Sequence, residues 1–263
     1  MLNDKEGFPF KLRFLSFNIR HGLGTDRRVD LHRIAKIIKQ SDADIIGLNE
    51  VDKTFSKRSH FIDQTSWLAE QLQMECVFAP AISFQSRKVE RREYGNALFS
   101  RYPIIHSNNH IVRLRPLLCE PRSIIEATIQ INQTLVKALV THFSLNPLLR
   151  RKQMRKVIEL STQERPNVLM GDFNCRPYSK DYYEVAKHYN NTCAKRIQKE
   201  LGTFPSRKPK YQLDYIFVNE KFEVIYSDVI STYKEASDHL PITSLVKIKS
   251  DVPTPSEKLP TLQ

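Results

Sequence analysis

Five short polar clusters, each closing an apolar run, constrain this chain more than any other feature: Ser16-Phe17-Asn18, Leu48-Asn49-Glu50, Thr141-His142-Phe143, Gly171-Asp172-Phe173-Asn174 and Ser237-Asp238-His239. Short unbroken apolar runs predict strands buried on both faces rather than strands with one wet side. Helical patterns lie between them, so the sheets need covering layers, and a mixed-sheet α/β domain in several layers follows. Polar side chains at the ends of such strands stand where a rigid scaffold meets water, which is where chemistry is commonly mounted.

The elements can be read in order. Lys11 to Asn18 predicts a strand, and Asp30 predicts the cap of a helix reaching about Gln40, with Leu31, Ile34, Ile37 and Ile38 on one face. Ala43 to Leu48 reads as a buried strand with Glu50 after its end, and Ile62 to Gln73 as a second helix. The charged stretch Arg87 to Glu93 reads as a surface loop before a strand Ala97 to Ser100. Ile124 to Ile131 and Thr134 to Val140 form a predicted hairpin turning at Asn132-Gln133. Leu148 to about Thr162 reads as a helix with a basic face (Arg150, Arg151, Lys152, Arg155, Lys156), and Val168 to Met170 as a short strand. Tyr178 to Leu201 is expected to be mainly helical, and Leu213 to Val218, Phe222 to Ile230 and Ile242 to Ile248 to be strands. Residues 1–249 make one expected domain, and the proline-rich segment 250–263 a disordered tail.

Composition narrows the function. A chain of 263 residues, 40% hydrophobic, can bury a sizeable core. A net charge of +12 favours anionic partners, whether nucleic acid, phospholipid headgroups or phosphorylated metabolites. Cys76, Cys119, Cys175 and Cys193 show no C-x-x-C spacing, which argues against a structural zinc site and for a reducing compartment. No stretch resembles a secretory signal or a bilayer-spanning run, so a cytoplasmic monomer is expected.

The clusters carry hard oxygen donors for a magnesium-type ion and two histidines for proton transfer, with no nucleophilic Ser or Cys motif. Asp172 and Asn174, two apart, share one face of an extended segment. Adjacent Asp238 and His239 can divide metal binding and proton transfer between them. Asp214, an acid opening an apolar strand, needs a partner, and a histidine suits it. Taken singly, each is as readily a turn, a cap or a solvated strand end. Their joint order points to metal-assisted hydrolysis of a phosphate ester.

That order (Asn, Glu, His, Asp-x-Asn, Asp, Asp-His) resembles the endonuclease/exonuclease/phosphatase superfamily of DNase I-like enzymes, from about Leu12 to Ile248. Within it the chain looks most like small bacterial metal-dependent hydrolases, on Ser16 to Gly22, Tyr94 to Leu98, Glu120-Pro121-Arg122 and Thr203 to Ser206. Leu48-Asn49-Glu50 departs from relatives that carry Gln before the Glu, but keeps an amide. The resemblance implies a four-layer α/β sandwich, two mixed β-sheets face to face and flanked by helices. It also implies Mg²⁺, with Mn²⁺ as the alternative, held by Glu50 with Asn18 and Asp238. It gives Asp172 to the attacking water, Asn174 and His142 to the phosphoryl oxygens, and His239 to the transition state. It leaves open which histidine Asp214 orients. Arg20, Asn96 and Arg122 are candidate substrate contacts, since guanidinium and amide groups grip phosphate oxygens. Against the phosphoesterase stand a DNA or RNA nuclease, favoured by the charge and the basic helix, and a catalytically dead binding module. The full polar set argues against the module, and the lack of a single aromatic-interleaved basic tract argues against the nuclease.

Overall fold

The computed structural model describes residues 10–86, 89–114, 119–194 and 201–249. The strands are β1 (Lys11–Asn18), β2 (Ile45–Lys53), β3 (Glu75–Ser86), β4 (Val89–Ser100), β5 (Ile104–Val112), β6 (Arg122–Ile131), β7 (Thr134–His142), β8 (Asn167–Asp172), β9 (Asn190–Asn191), β10 (Asp214–Val218), β11 (Phe222–Val229) and β12 (Ile242–Ile248). The helices are α1 (Leu31–Ser41), α2 (Gln64–Leu72), α3 (Pro147–Leu160) and α4 (Lys180–Ala186). The strands form two six-stranded sheets, ordered β11-β12-β1-β2-β4-β3 and β5-β6-β7-β8-β10-β9.

Strand alternation explains the layers. In β1, Leu12 and Phe14 join the core between the sheets, with Ile45, Leu98, Ile125, Val140, Met170 and Ile216. Leu15 and Phe17 point the other way, into a second core with Ile34, Ile38 and Leu68 of α1 and α2. A third core packs Leu149, Met154 and Val157 of α3 and Tyr182 and Val185 of α4 on Leu139, Leu169, Tyr215 and Phe217. The central strands of both sheets are thus buried on both faces, and the unbroken apolar runs follow from that. The result is the expected four-layer sandwich of helices, sheet, sheet and helices.

Local chemistry sets the element ends. The Asp30 carboxylate accepts from the Arg33 N–H and starts α1. Asn146 does the same for α3, ahead of Pro147. Glu50 does not follow β2 but lies within it, at an interruption of the β2–β4 pairing between Leu48 and Val51. Its φ of 58° marks a bulge, and bulges re-aim side chains.

Two further expectations are corrected. Within Arg87 to Glu93, the described residues from Val89 belong to β4 and not to a loop; paired with β3 they make a charged hairpin at the sheet edge, where charge blocks further pairing. Tyr178 to Leu201 holds only the short α4 and the two-residue β9 among the described residues, because Asn190, Asn191 and Thr192 are poor helix formers. The helix with the basic face is found as α3, with Arg151, Lys152 and Arg155 exposed, while Arg150 pairs with Asp181 and Lys156 with Glu159. The segment from Ser250 onward lies outside the described residues.

Candidate active site

Strand register gathers the site. Asn18 is paired with Asn49 across β1 and β2, next to Glu50. His142 is paired with Asp172 across β7 and β8, and Asp172 with Asp214 across β8 and β10. One row of residues at one end of the second sheet therefore carries His142, Asp172 and Asp214. Asn18 joins that row to the first sheet: its Nδ2 donates to Glu50 Oε1 at 3.0 Å and to Asp172 Oδ2 at 3.1 Å.

The loop before β12 brings Asp238 and His239 to the same place. Ser237 Oγ donates to the Asn18 carbonyl at 2.7 Å, tying the loop to the end of β1. His239 Nδ1 lies 2.8 Å from Asp214 Oδ2, so Asp214 orients His239 and not His142. The His239 Nε2 lies 3.7 Å from Asp172 Oδ2. Thr203 to Ser206 frames this pair from the side. Thr203 Oγ1 accepts from the Asp214 N–H, the Phe204 ring sits 4.9 Å from the His239 ring, and the Ser206 N–H donates to the Asp238 carbonyl.

The two histidines are in opposite electrostatic states. Burial opposes charge on His239, but the Asp214 and Asp172 carboxylates outweigh it and push its pKa up to about 10. Burial dominates at His142 and pushes its pKa down to about 4, despite the Asp172 charge. Asn174 Nδ2 donates to the Phe143 carbonyl at 2.8 Å, which fixes the amide and aims the same nitrogen at His142 Nε2, 3.1 Å away. The neutral His142 ring accepts that bond through Nε2. Burial raises the pKa of Asp172, with the His239 charge pulling the other way.

Gly171 makes the close approach of β7 and β8 feasible. Its φ is 145°, and a Cβ there would stand 1.8 Å from the Thr141 carbonyl oxygen. Beneath Asp172 the sheets are joined by amides. Asn49 Oδ1 accepts from the Asp172 N–H, and its Nδ2 donates to the Thr141 carbonyl and to Asn96 Oδ1. Asn96 in turn donates to the Ser123 carbonyl and hydroxyl.

Most expected residues therefore converge, but Asn96 does not. It is 3% exposed and its amide is fully used as a brace between the sheets, so the structure leaves it no group for a substrate. Arg20 reaches Asp238 at 3.5 Å, and Arg122 is engaged by Glu120 while its charge acts on His142. Two bracing residues escaped the sequence reading. Asn49 was visible only as a neighbour of Glu50. Gln153 of α3 holds the Ser144 N–H and the His142 carbonyl, and a lone Gln on a helix gives no sequence signal.

Ligand atoms of Asp172, Asp214 and His239 lie within 4.8 Å of one another, a grouping that could hold a metal ion. The donor chemistry favours its neighbours for a hard cation. Asp214 Oδ2 is committed to His239 while its buried Oδ1 has no partner among the described residues, and a protonated imidazole cannot ligate. Glu50 and Asp238 offer carboxylate oxygens that suit a magnesium-type ion, while Asn18 Oδ1 accepts from the Arg20 N–H and its Nδ2 faces Glu50. A groove of about 360 Å³ between α3 and α4, lined in part by Arg151, Arg155 and Lys180, shares no residue with this site.

Comparison with known proteins agrees with the geometry. The family model described as "Endonuclease/Exonuclease/phosphatase family" matches residues 15–239. The uncharacterized protein YbhP of Escherichia coli (strain K12) is 24% identical over 94% of this chain and 100% of its own length. The crystal structure of an endonuclease/exonuclease/phosphatase from Beutenbergia cavernae DSM 12333 superposes with a TM-score of 0.77 at 23% identity, covering 90% of this chain and 72% of that one. The mannosyl-6-phosphatase Bt3783 of Bacteroides thetaiotaomicron VPI-5482 does so with a TM-score of 0.68 at 18% identity, covering 89% and 99%. With most of its length matched by the family model and its polar strand ends gathered in one cleft, this chain belongs to the endonuclease/exonuclease/phosphatase family.

Proposed function

We propose that this protein is a Mg²⁺-dependent phosphoesterase that hydrolyses a phosphate ester by direct attack of water. The observation that carries the reading is the Asn18 amide, which ties Glu50 of one sheet to Asp172 of the other beside the His239–Asp214 pair. Glu50 and Asp238 would hold the ion, joined by Asn18 once its Oδ1 is released from the Arg20 N–H, and the ion when bound supplies charge neutralisation and polarisation of a phosphoryl oxygen. Asp172, made more basic by burial, accepts the proton of the attacking water. His239, already protonated and fixed by Asp214, stabilises the charge that develops on the phosphoryl group. A phosphoryl oxygen that replaces the hydrogen bond between Asn174 and His142 receives the freed Asn174 Nδ2–H, and His142 adds a second donor when its neutral ring carries the proton on Nε2. Arg20 and Arg122 add positive charge at the rim. The similarity to Bt3783, a phosphatase by name, supports a phosphoester as substrate.

A panel assay with Mg²⁺ tests this: bis-p-nitrophenyl phosphate, p-nitrophenyl phosphate, inositol phosphates, sphingomyelin and plasmid DNA. Turnover should stop with EDTA, return with Mg²⁺, and fall about 10²-fold or more in His239→Ala and Asp172→Asn. Full turnover by metal-stripped protein would sink the reading. The net charge of +12 favours a nuclease as the second reading, and efficient plasmid cleavage that weakens steeply with salt would establish it instead.

A further inference from the structure

A second set of side chains surrounds Glu50 without a part in the reaction above. The Glu50 charge acts on His21, Arg58 and Tyr94, and Tyr94 is paired with Asp52 next to the β2 bulge. Arg58 is clamped: its Nε and Nη2 donate to the fully buried Asp52 carboxylate at 3.0 and 2.7 Å. The guanidinium carbon lies 4.6 Å from the Phe55 ring centroid and 5.1 Å from that of Tyr94. Phe55 stands 5.7 Å from Tyr94 and 6.0 Å from Phe84, centroid to centroid. Phe84 is 57% exposed, too open to be a core residue. A shelf of rings thus runs outward from Glu50. Phe84 pairs with Arg92, two residues along β4 from Tyr94, or about 7 Å.

His21 adds a polar atom. Its Nδ1 is buried and has no partner among the described residues, and the ring is 8% exposed. The Gln64 amide grips its carbonyl at 2.8 Å, and Arg20, His21 and Gly22 all have φ between 45° and 78°. Backbone held in this region by surrounding structure is a recurrent mark of functional sites. An orphaned buried nitrogen calls for a ligand group to satisfy it.

We propose that Phe55, Phe84 and Tyr94, with Arg58 and His21, form a subsite for a planar heteroaromatic ring, a nucleobase, on the alcohol part of the phosphate ester. The proposal rests on the reading that the phosphate sits beside Glu50. Every base has a π-face that stacks on such rings, and its edge carries acceptors for N–H groups. Arg58 Nη1 has no acceptor among the described residues, so the shelf offers both a stacking face and a polar edge, and the buried His21 Nδ1, on which the Arg58 charge acts, is unpartnered among them. An acyl chain fits worse: it would cover Arg58 Nη1, the one guanidinium nitrogen that Asp52 does not engage, and leave its N–H groups without an acceptor. Sequence reading missed the shelf because its rings come from separate segments and no one tract alternates aromatic and basic residues.

Calorimetric titration with non-hydrolysable methylenephosphonate analogues of adenosine monophosphate and of ribose phosphate tests it, in Mg²⁺ and on the full chain. The adenosine compound should bind about 10-fold or more tightly, the stacking contribution expected of one base. Phe84→Ala and Phe55→Leu should each remove most of that preference and leave the ribose compound's affinity unchanged; the exposed Phe84 can be lost without unfolding, as an unaltered melting curve would show. Equal affinities in wild type would overturn the proposal. So would a preference untouched by both variants, or Phe84-dependent binding to anionic phospholipid vesicles with no base preference. Binding is read without turnover, so a base preference in a protein that hydrolyses nothing would sink the phosphoesterase reading alone.

Discussion

Replacing Asn49 by Leu tests the claim that a buried amide, and not apolar packing, fastens the two sheets under the site. Asn49 is fully buried, and Leu is close to it in shape. The substitution would strip partners from the Asp172 N–H, the Thr141 carbonyl and Asn96 Oδ1, which Asn49 now engages at 2.8, 3.0 and 2.8 Å. A buried polar group left unsatisfied costs roughly 1–3 kcal/mol. With partial relaxation, and some recovery from burying a leucine, Asn49→Leu should lose about 3–5 kcal/mol. That is a large part of the ~5–15 kcal/mol that holds a typical domain together. Urea unfolding followed by the fluorescence of Trp67, the only tryptophan in the chain, measures it as a shift in midpoint at constant slope. The Asp172 backbone is one of the released groups, so turnover should fall as well, even at temperatures where the variant is folded. A stability loss under about 1 kcal/mol would show that the amide chain is incidental and the reasoning wrong.

The two histidines give opposite pH limbs in metal-free protein. His239, raised from 6.5 to about 10, contributes stability that is complete below pH 6.5 and is lost as pH rises through 10. Asp214→Asn should flatten that alkaline limb, and an unchanged limb in urea titrations would refute the ion-pair account. His142, lowered from 6.5 to about 4, contributes stability that is present above pH 6.5 and is lost as pH falls through 4, so His142→Gln should flatten the acid limb. Gly171→Ala forces a Cβ against the Thr141 carbonyl and should lower Tm by about 6–12 °C, the equivalent of ~3 kcal/mol in a chain of this size. A melt within about 2 °C of wild type would remove Gly171 from the set of residues that set the β7–β8 spacing.

The fold was legible where side-chain pattern and burial coincide. β1, α1, the β6–β7 hairpin and β10 lie close to where the residues put them, since each carries an unbroken apolar run, a cap or a clear turn. β5 escaped, because an edge strand reading Ile104-Ile105-His106-Ser107-Asn108-Asn109-His110 needs little apolar surface and gives no pattern. The β3–β4 hairpin escaped in part for the same reason: its charged end looks like a loop when the pairing partner is unknown. Tertiary pairing also overrode propensity at β9, where two asparagines become a strand by pairing with Val218 and Phe217.

The site was legible in residue type but not in electrostatics. Sequence shows that acids, amides and histidines end the strands; only register shows that Asp172 stands between His142 and Asp214, and only the Asp214 carboxylate against His239 separates one buried histidine held charged from another held neutral. The same geometry explains why a chain of net charge +12 collects carboxylates in its cleft. Glu50, Asp172, Asp214 and Asp238 meet there, while the nearby cations are His239, Arg20, an Arg122 already engaged by Glu120 and an Arg58 already clamped by Asp52. A phosphate entering that set alone is repelled, and each like-charge pair at about 4 Å opposes it by roughly 4 kcal/mol at an effective dielectric near 20. The positive surface draws the anion toward the protein, but the cleft itself cannot keep it. A divalent cation between the carboxylates and the phosphate reverses the local sign. On the proposed phosphoesterase reading, metal dependence follows from how the strand ends meet, and the excess of surface lysine and arginine serves encounter rather than grip.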